Sequence, residues 1–230
     1  MIKRPVNRWP FALKWSLSVL LSVYCFLNTI QSQAQILTDD HNLAVDLIYE
    51  AKTLIENSNY KPAIENLKQS VALDSIIREE YTLLTQACFY QNDMATAKEY
   101  LRKAKLIFLE DDELCYYLGK VYEKEMNLQL AINEYGEAIK WSSVNGTDYP
   151  IVFDYYASRG TCYLLLGEYQ KALTDLDQAF AFNNSKADIL IKRGIALYHL
   201  NQKEEACRNW EKAYEMGLQQ ALVYLDQNCK

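Results

Sequence analysis

Small residues recur at a fixed interval along this chain, and no other feature limits its possible folds as strongly. The segment GEYQKALTDLDQAF, Gly167 to Phe180, is answered 34 residues later by NQKEEACRNWEKAY, Asn201 to Tyr214. Tested along the whole chain, the same offset gives Ala63, Ala97 and Ala131, then a 41-residue step to Ala172, then Ala206. Seven residues after each of these stands Ser70, Ala104, Ala138, Ala179 or Ala213, and twelve before each stands Ala51, Thr85, Gly119, Gly160 or Gly194. Self-similarity with a period of this size marks an array of stacked units, each too small to bury an apolar face alone.

Each unit holds two apolar-periodic segments separated by polar turn residues, such as NSNY at Asn57 to Tyr60 or LGEY at Leu166 to Tyr169, and so reads as a helical hairpin. Two antiparallel helices approach closely only where one offers small side chains to the large ones of its partner. Gly160 and Ala172 are therefore expected to form the close contact of their unit, with Tyr163 and Leu176 filling the space beside it. Gly (7) and Pro (4) are scarce, which suits long helices better than a sheet built on many tight turns.

The pattern of a small residue at position eight, Tyr at eleven, Ala at twenty, an aromatic or Leu at twenty-four and Ala at twenty-seven resembles the tetratricopeptide repeat (TPR). In that register the units are 44–77, 78–111, 112–145, 153–186 and 187–220, with an inserted loop over 146–152. The fourth is the most typical, with Gly160, Tyr163, Gly167, Tyr169, Ala172 and Ala179 in place, and the second has Thr85 and Cys88 instead of the small residue and the Tyr. The resemblance implies an all-α, right-handed solenoid of about five hairpins. Residues 221–230, with Ala221, Leu222 and Leu225, then form a short capping helix over the apolar face that the last hairpin would leave bare.

The resemblance also implies a concave face lined by the first helix of each unit, at positions two, five, nine and twelve. The expected groove residues are Lys52, Gln86, Phe89, Tyr116, Lys120, Glu123, Thr161, Leu164 and Tyr198, with Ile48, Ala157, Ile191 and Ile195 at equivalent positions. Of these, Ile191 and Ile195 read as packing residues. Such a groove takes a protein or an extended peptide. Repeats of this family that grip acidic chaperone tails present a clamp of Lys, Asn and Arg. Here Ile48, Leu83, Glu113 and Tyr117 occupy most of that clamp and Lys52 alone is basic, which argues against that role.

The N-terminus is chemically distinct. Lys3, Arg4, Arg8 and Lys14 precede the apolar run Trp15 to Leu27, and Ser32 to Ala34 supply small residues before Gln35. A basic region, a short apolar region and a small-residue site form the pattern of a secretory signal peptide over 1–34. Residues 35–43 would then be a linker or the start of the first helix. The alternative is a membrane anchor over residues 11–30, for which the apolar run is short. Export implies a periplasmic or extracellular protein. Without its first 34 residues the chain keeps 20 basic against 30 acidic residues, a net charge of −10 that disfavours nucleic acid as a partner.

Five cysteines follow residue 34. Cys88 and Cys162 sit at core-like positions, whereas Cys207 lies early in one helix and Cys229 near the end of the antiparallel one. Start against end is the arrangement that brings two residues together, so Cys207–Cys229 is the expected disulfide. No phosphate loop, nucleophile elbow, zinc motif or CxxC occurs, so neither catalysis nor a cofactor or metal is expected. The acidic run Glu110 to Glu113 falls between two units, where carboxylates suit a helix N-terminus.

Overall fold

The computed structural model describes residues 17–146 and 151–229, and all regular structure among them is helical. The helices are α1 (Leu17–Glu56), α2 (Tyr60–Leu73), α3 (Arg78–Gln91), α4 (Met94–Ile107), α5 (Asp112–Lys124), α6 (Leu128–Asn145), α7 (Ile151–Leu165), α8 (Tyr169–Phe182), α9 (Ala187–His199), α10 (Lys203–Glu215) and α11 (Ala221–Asn228). They pack in sequence as five hairpins, α1/α2 through α9/α10, followed by a terminal helix.

The turns explain how the period is kept. Ser58, Asn92, Met126, Gly167 and Asn201 occupy one equivalent position in the five hairpins, and all five have positive φ, between 59° and 75°. A single left-handed residue there ends the first helix and redirects the chain into the second. Only one of the five is glycine. Met126 holds that conformation at φ 59° with a full side chain, a strain of about 1 kcal/mol. Sequence also fixes two starts: Asp93 accepts from the Thr96 amide at 3.1 Å to open α4, and Asp111 from the Leu114 amide at 3.0 Å to open α5.

The ladder of small residues is the buried spine. All fifteen members are buried, and the five alanines Ala63, Ala97, Ala131, Ala172 and Ala206 are fully excluded from solvent. The reason is the space their partners occupy. A Cβ at Gly160 would lie 3.0 Å from Leu176 and 3.3 Å from the Ala172 carbonyl. At Gly119 it would lie 2.6 Å from the Tyr135 ring, and at Gly194 only 2.2 Å from Trp210 Nε1. Trp210, Tyr135 and Leu176 thus fill the room that the missing side chains leave, to the density of a protein interior. Cys88, Cys115 and Cys162 are buried among them, and burial pushes the Cys88 and Cys162 thiols up to about 12.

Three expectations need correction. The 146–152 insertion is not only a loop: Ile151 and Val152 are helical, and α6 runs four residues beyond Trp141, the equivalent of the last residue of α4. Most of the extra length is therefore absorbed as helix, which keeps its backbone groups paired; residues 147–150 lie outside the described ones. Second, residues 35–43 are helix and not a linker. They lie inside α1, which is already helical at Leu17, whereas the basic residues up to Lys14 lie outside the described residues. Third, Leu222 does not cap the last hairpin. It is exposed, and Tyr224 does that work by stacking on Trp210 with ring centroids 5.2 Å apart, beside buried Ala221 and half-buried Leu225. Cys207 and Cys229 are joined in a disulfide whose Cα atoms are 5.8 Å apart, tying α11 to α10.

Candidate functional site

The first helices of neighbouring hairpins touch, α1 with α3 and α5 with α7, and α7 in turn with α9. Between α3 and α5 this face opens into a cavity of about 520 Å³, lined by Thr82, Leu83, Gln86, Phe89, Tyr90, Glu113, Tyr116, Tyr117 and Lys120. A second depression of about 200 Å³ lies between α5, α7 and α9, and includes Tyr116, Lys120, Glu123, Asp154, Thr161, Asp188 and Lys192. Tyr116 and Lys120 belong to both, so the two form one track along the face.

Aromatic packing sets the floor of that track. The Tyr116 ring lies 5.5 Å from Tyr117, 5.8 Å from Tyr135 and 5.1 Å from Tyr155. Burial drives the Tyr116 phenol far above its ordinary value, so it stays neutral. Tyr135 donates to Glu123 Oε2 at 2.5 Å, and Lys120 donates to the same oxygen at 3.1 Å. Burial also raises the half-buried Asp154 carboxyl, with Lys186, Lys120 and Lys192 partly offsetting the effect. The track therefore offers an apolar, aromatic mouth and a polar continuation whose charges are mostly paired.

The nine expected groove residues separate into three groups. Gln86, Phe89, Tyr116 and Lys120 line the larger cavity, and Glu123 and Thr161 the smaller. Lys52, Leu164 and Tyr198 line neither. Lys52 pairs with Glu79 at 2.9 Å, bridging α1 and α3, and lies 5.1 Å over the Tyr49 ring. Leu164 is half-buried against the core around Leu176. Tyr198 is exposed near the array's end, 6.0 Å from Trp210. The Thr161 hydroxyl donates to the Ala157 carbonyl, so its polar atom is already occupied. Ile48 and Ile191 are buried and line neither cavity, which removes both from the face, whereas Ala157, also buried, lines the floor of the smaller one. Leu83 and Tyr117, considered above only as clamp positions, and Tyr90 are not among the expected groove residues and yet line the larger cavity. They sit at positions six and thirteen, one residue beyond the stripe assumed, and the 3.6-residue period gives a stripe wide enough to include them.

A larger opening of about 750 Å³ lies at the helix ends, beside Arg78, Phe108, Leu109, the acidic run Glu110 to Glu113, Asn145, Ile151 and Tyr155. Its charges serve the fold. Arg78 pairs with Asp111 and Glu113, while Asp112 accepts from Asn145 at 3.0 Å and from Tyr155 at 2.7 Å. Among the described residues, no group of three or more His, Cys, Asp or Glu is placed to hold a metal ion.

Fold and face together define a TPR-like stack of helical hairpins. Among solved structures, the chain is similar to MamA, with a TM-score of 0.66 at 20% identity over 74% of this chain and 96% of that one. It is similar to YrrB, described as a TPR protein with an unusual peptide-binding site, with a TM-score of 0.66 at 19% identity over 80% and 92%. It also resembles yeast Tom70, with a TM-score of 0.65 at 15% identity over 82% of this chain and 40% of that one. At these identities the likeness is one of fold. No protein-family model matches the sequence, and none of the curated proteins matches it.

Proposed function

We propose that this chain is a non-catalytic binding module that takes a protein or an extended peptide along the face built by α3, α5 and α7. The observation that carries the reading is the cavity of about 520 Å³ between α3 and α5. It presents Phe89, Tyr90, Tyr116 and Tyr117 as anchors beside Gln86 and Lys120, the mix of rigid aromatics and a few polar groups from which recognition surfaces are made. The peptide-binding site described for YrrB, on a similar fold, supports it.

Export to the cell envelope is the second part of the proposal. It is supported by the basic, apolar and small-residue order of residues 1–34 and by the Cys207–Cys229 disulfide, which persists in oxidising compartments. Among the described residues no helix is long and apolar enough to cross a membrane. The mass of the protein recovered from cells tests this part directly: removal of residues 1–34 is expected, and a full-length product would mean a retained anchor.

The binding reading is tested by affinity capture from the native compartment. The wild-type chain is compared with a Phe89, Tyr116 and Lys120 triple alanine variant whose helicity is checked by circular dichroism; Lys52, which lines neither cavity, is left in place. Loss of specific partners with the variant is the expected result. Persistence of the same partners would shift the working surface to the ends of the array, where the part of α1 beyond residue 34 exposes Ile36 and Leu37.

A further inference from the structure

One junction between hairpins differs in kind from the other three. At each, the last small residue of the spine meets the third residue of the next hairpin. Three of these meetings are apolar: Ala104 with Leu114, Ala138 with Tyr155, and Ala179 with Ile189, each pair within one core cluster. At the first junction the pair is Ser70 and Glu80, both wholly buried. Two polar residues thus replace two apolar ones at matched positions of a single interface.

Counting hydrogens fixes the state of the carboxyl. Ser70 Oγ stands 3.1 Å from the Ala44 carbonyl oxygen of α1 and 2.6 Å from Glu80 Oε2 of α3. A hydroxyl carries one hydrogen and a carbonyl carries none, so both contacts are hydrogen bonds only when Glu80 supplies a proton. Ser70 then donates to Ala44 and accepts from Glu80. Oε1, buried without a partner, is the carbonyl oxygen of the neutral acid; as half of a carboxylate it would cost far more.

We propose that Glu80 is a proton-held latch: in its neutral form it closes the first hairpin onto the second through Ser70, and its ionisation releases that hairpin from the array. Burial is the main force that pushes the carboxyl up from an ordinary value near 4.5 to about 7, and the like charge of Asp74, at the end of α2, adds to it. The other groups around it are Tyr81, which is next in α3 and close to Tyr100 of α4, and His41 of α1, which pairs with Asp74 at 2.5 Å. A carboxyl that binds its proton more tightly when folded contributes stability that falls as pH rises from about 4.5 to about 7 and is lost above that. Opening the first hairpin separates Lys52 of α1 from Glu79 of α3, so the latch also governs one end of the helical face. The latch stands whether or not that face binds a peptide.

Hydrogen exchange of the full chain at pH 5.5 and pH 8.5 tests this, with rates corrected for intrinsic exchange and α10 serving as internal reference. The amides of α1 from Ala44 onward and of α2 are expected to open more often at the higher pH, on the order of tenfold relative to α10. A Ser70→Ala/Glu80→Leu variant restores the apolar pairing of the other junctions and is expected to abolish the difference. Equal pH response of α2 and α10 in the wild type would overturn the latch. A response that survives in the double variant belongs to the His41–Asp74 pair and would overturn it too. Carbon NMR of the wild-type Glu80 carboxyl gives a check independent of any variant: titration between the two pH values is expected, and a group already ionised at pH 5.5 refutes the proposal.

Discussion

The two ends of the array solve the same problem in opposite ways. At the C-terminal end, Trp210 is 1% exposed, sits against Gly194, donates to the Ile191 carbonyl at 3.2 Å, and is covered by Tyr224 of α11. A disulfide fastens the cover. At the N-terminal end α1 runs on past its own hairpin, and Tyr24, Phe26, Leu27, Ile36 and Leu37 all stand more than half exposed. Hydropathy does not separate these sets. What separates them, among the described residues, is whether another helix lies alongside, because burial is a property of neighbours and a solenoid unit can be buried only by the unit next to it.

That contrast predicts a graded set of responses. Trp210→Ala empties the best-filled site of the last hairpin and is expected to cost about 3–5 kcal/mol, read as early opening of α9 to α11 in native-state hydrogen exchange under rising urea. Opening confined to α1 and α2 instead would mean that the array unfolds from its bare end whatever happens at the capped one. Replacing Cys207 and Cys229 together by serine removes a tie spanning 22 residues and should cost about 3 kcal/mol under oxidising conditions. An unchanged midpoint would show that α11 is held by Tyr224 and Ala221 alone.

Gly194→Ala sharpens the same end from the opposite side. Its new methyl would press on Trp210, and a loss of about 1–3 kcal/mol is expected, visible as a lower midpoint in chemical denaturation. In the middle of the chain, Met126→Gly should raise stability by about 1 kcal/mol through relief of its left-handed strain; a loss would mean that the Met126 side chain has a contact worth more than the strain. Smallest of all is Ile36→Ser with Leu37→Ser. With both residues exposed, a change within about 0.5 kcal/mol is expected. A larger loss would show that the bare end is covered in solution, by a second copy or by a partner, and the contrast between the ends would then disappear.

The spine was legible because it is written locally. Each close contact requires a small residue at one position of every unit, and the fifteen positions picked out by period alone are all buried. The hairpins and the acidic caps at Asp93 and Asp111 follow from the same local rules. The candidate face was legible in part. Phe89, Tyr116 and Lys120 carry the right position and line the track, but Ile48 and Ile191, at equivalent positions, are covered by neighbouring helices. The converse holds for Leu83 and Tyr117, which lie just outside the assumed stripe and still reach the cavity, since helix rotation against its neighbours decides which edge of the stripe is open.

Ser70 makes the distinction plainest. In the sequence it is one more small residue on the spine, and nothing nearby marks it as polar in function. Only when α2 and α3 are brought together does it meet Glu80, ten residues away, in a space closed to water. The sequence by itself determined the period, the helical hairpins and the residues too small to hold them apart, because those depend on spacing along one chain. The tertiary structure alone decided which apolar side chains are covered, how the insertion is absorbed, and which carboxyl is shut away from solvent. Those outcomes depend on how neighbouring helices are placed and turned against one another, and spacing does not record that.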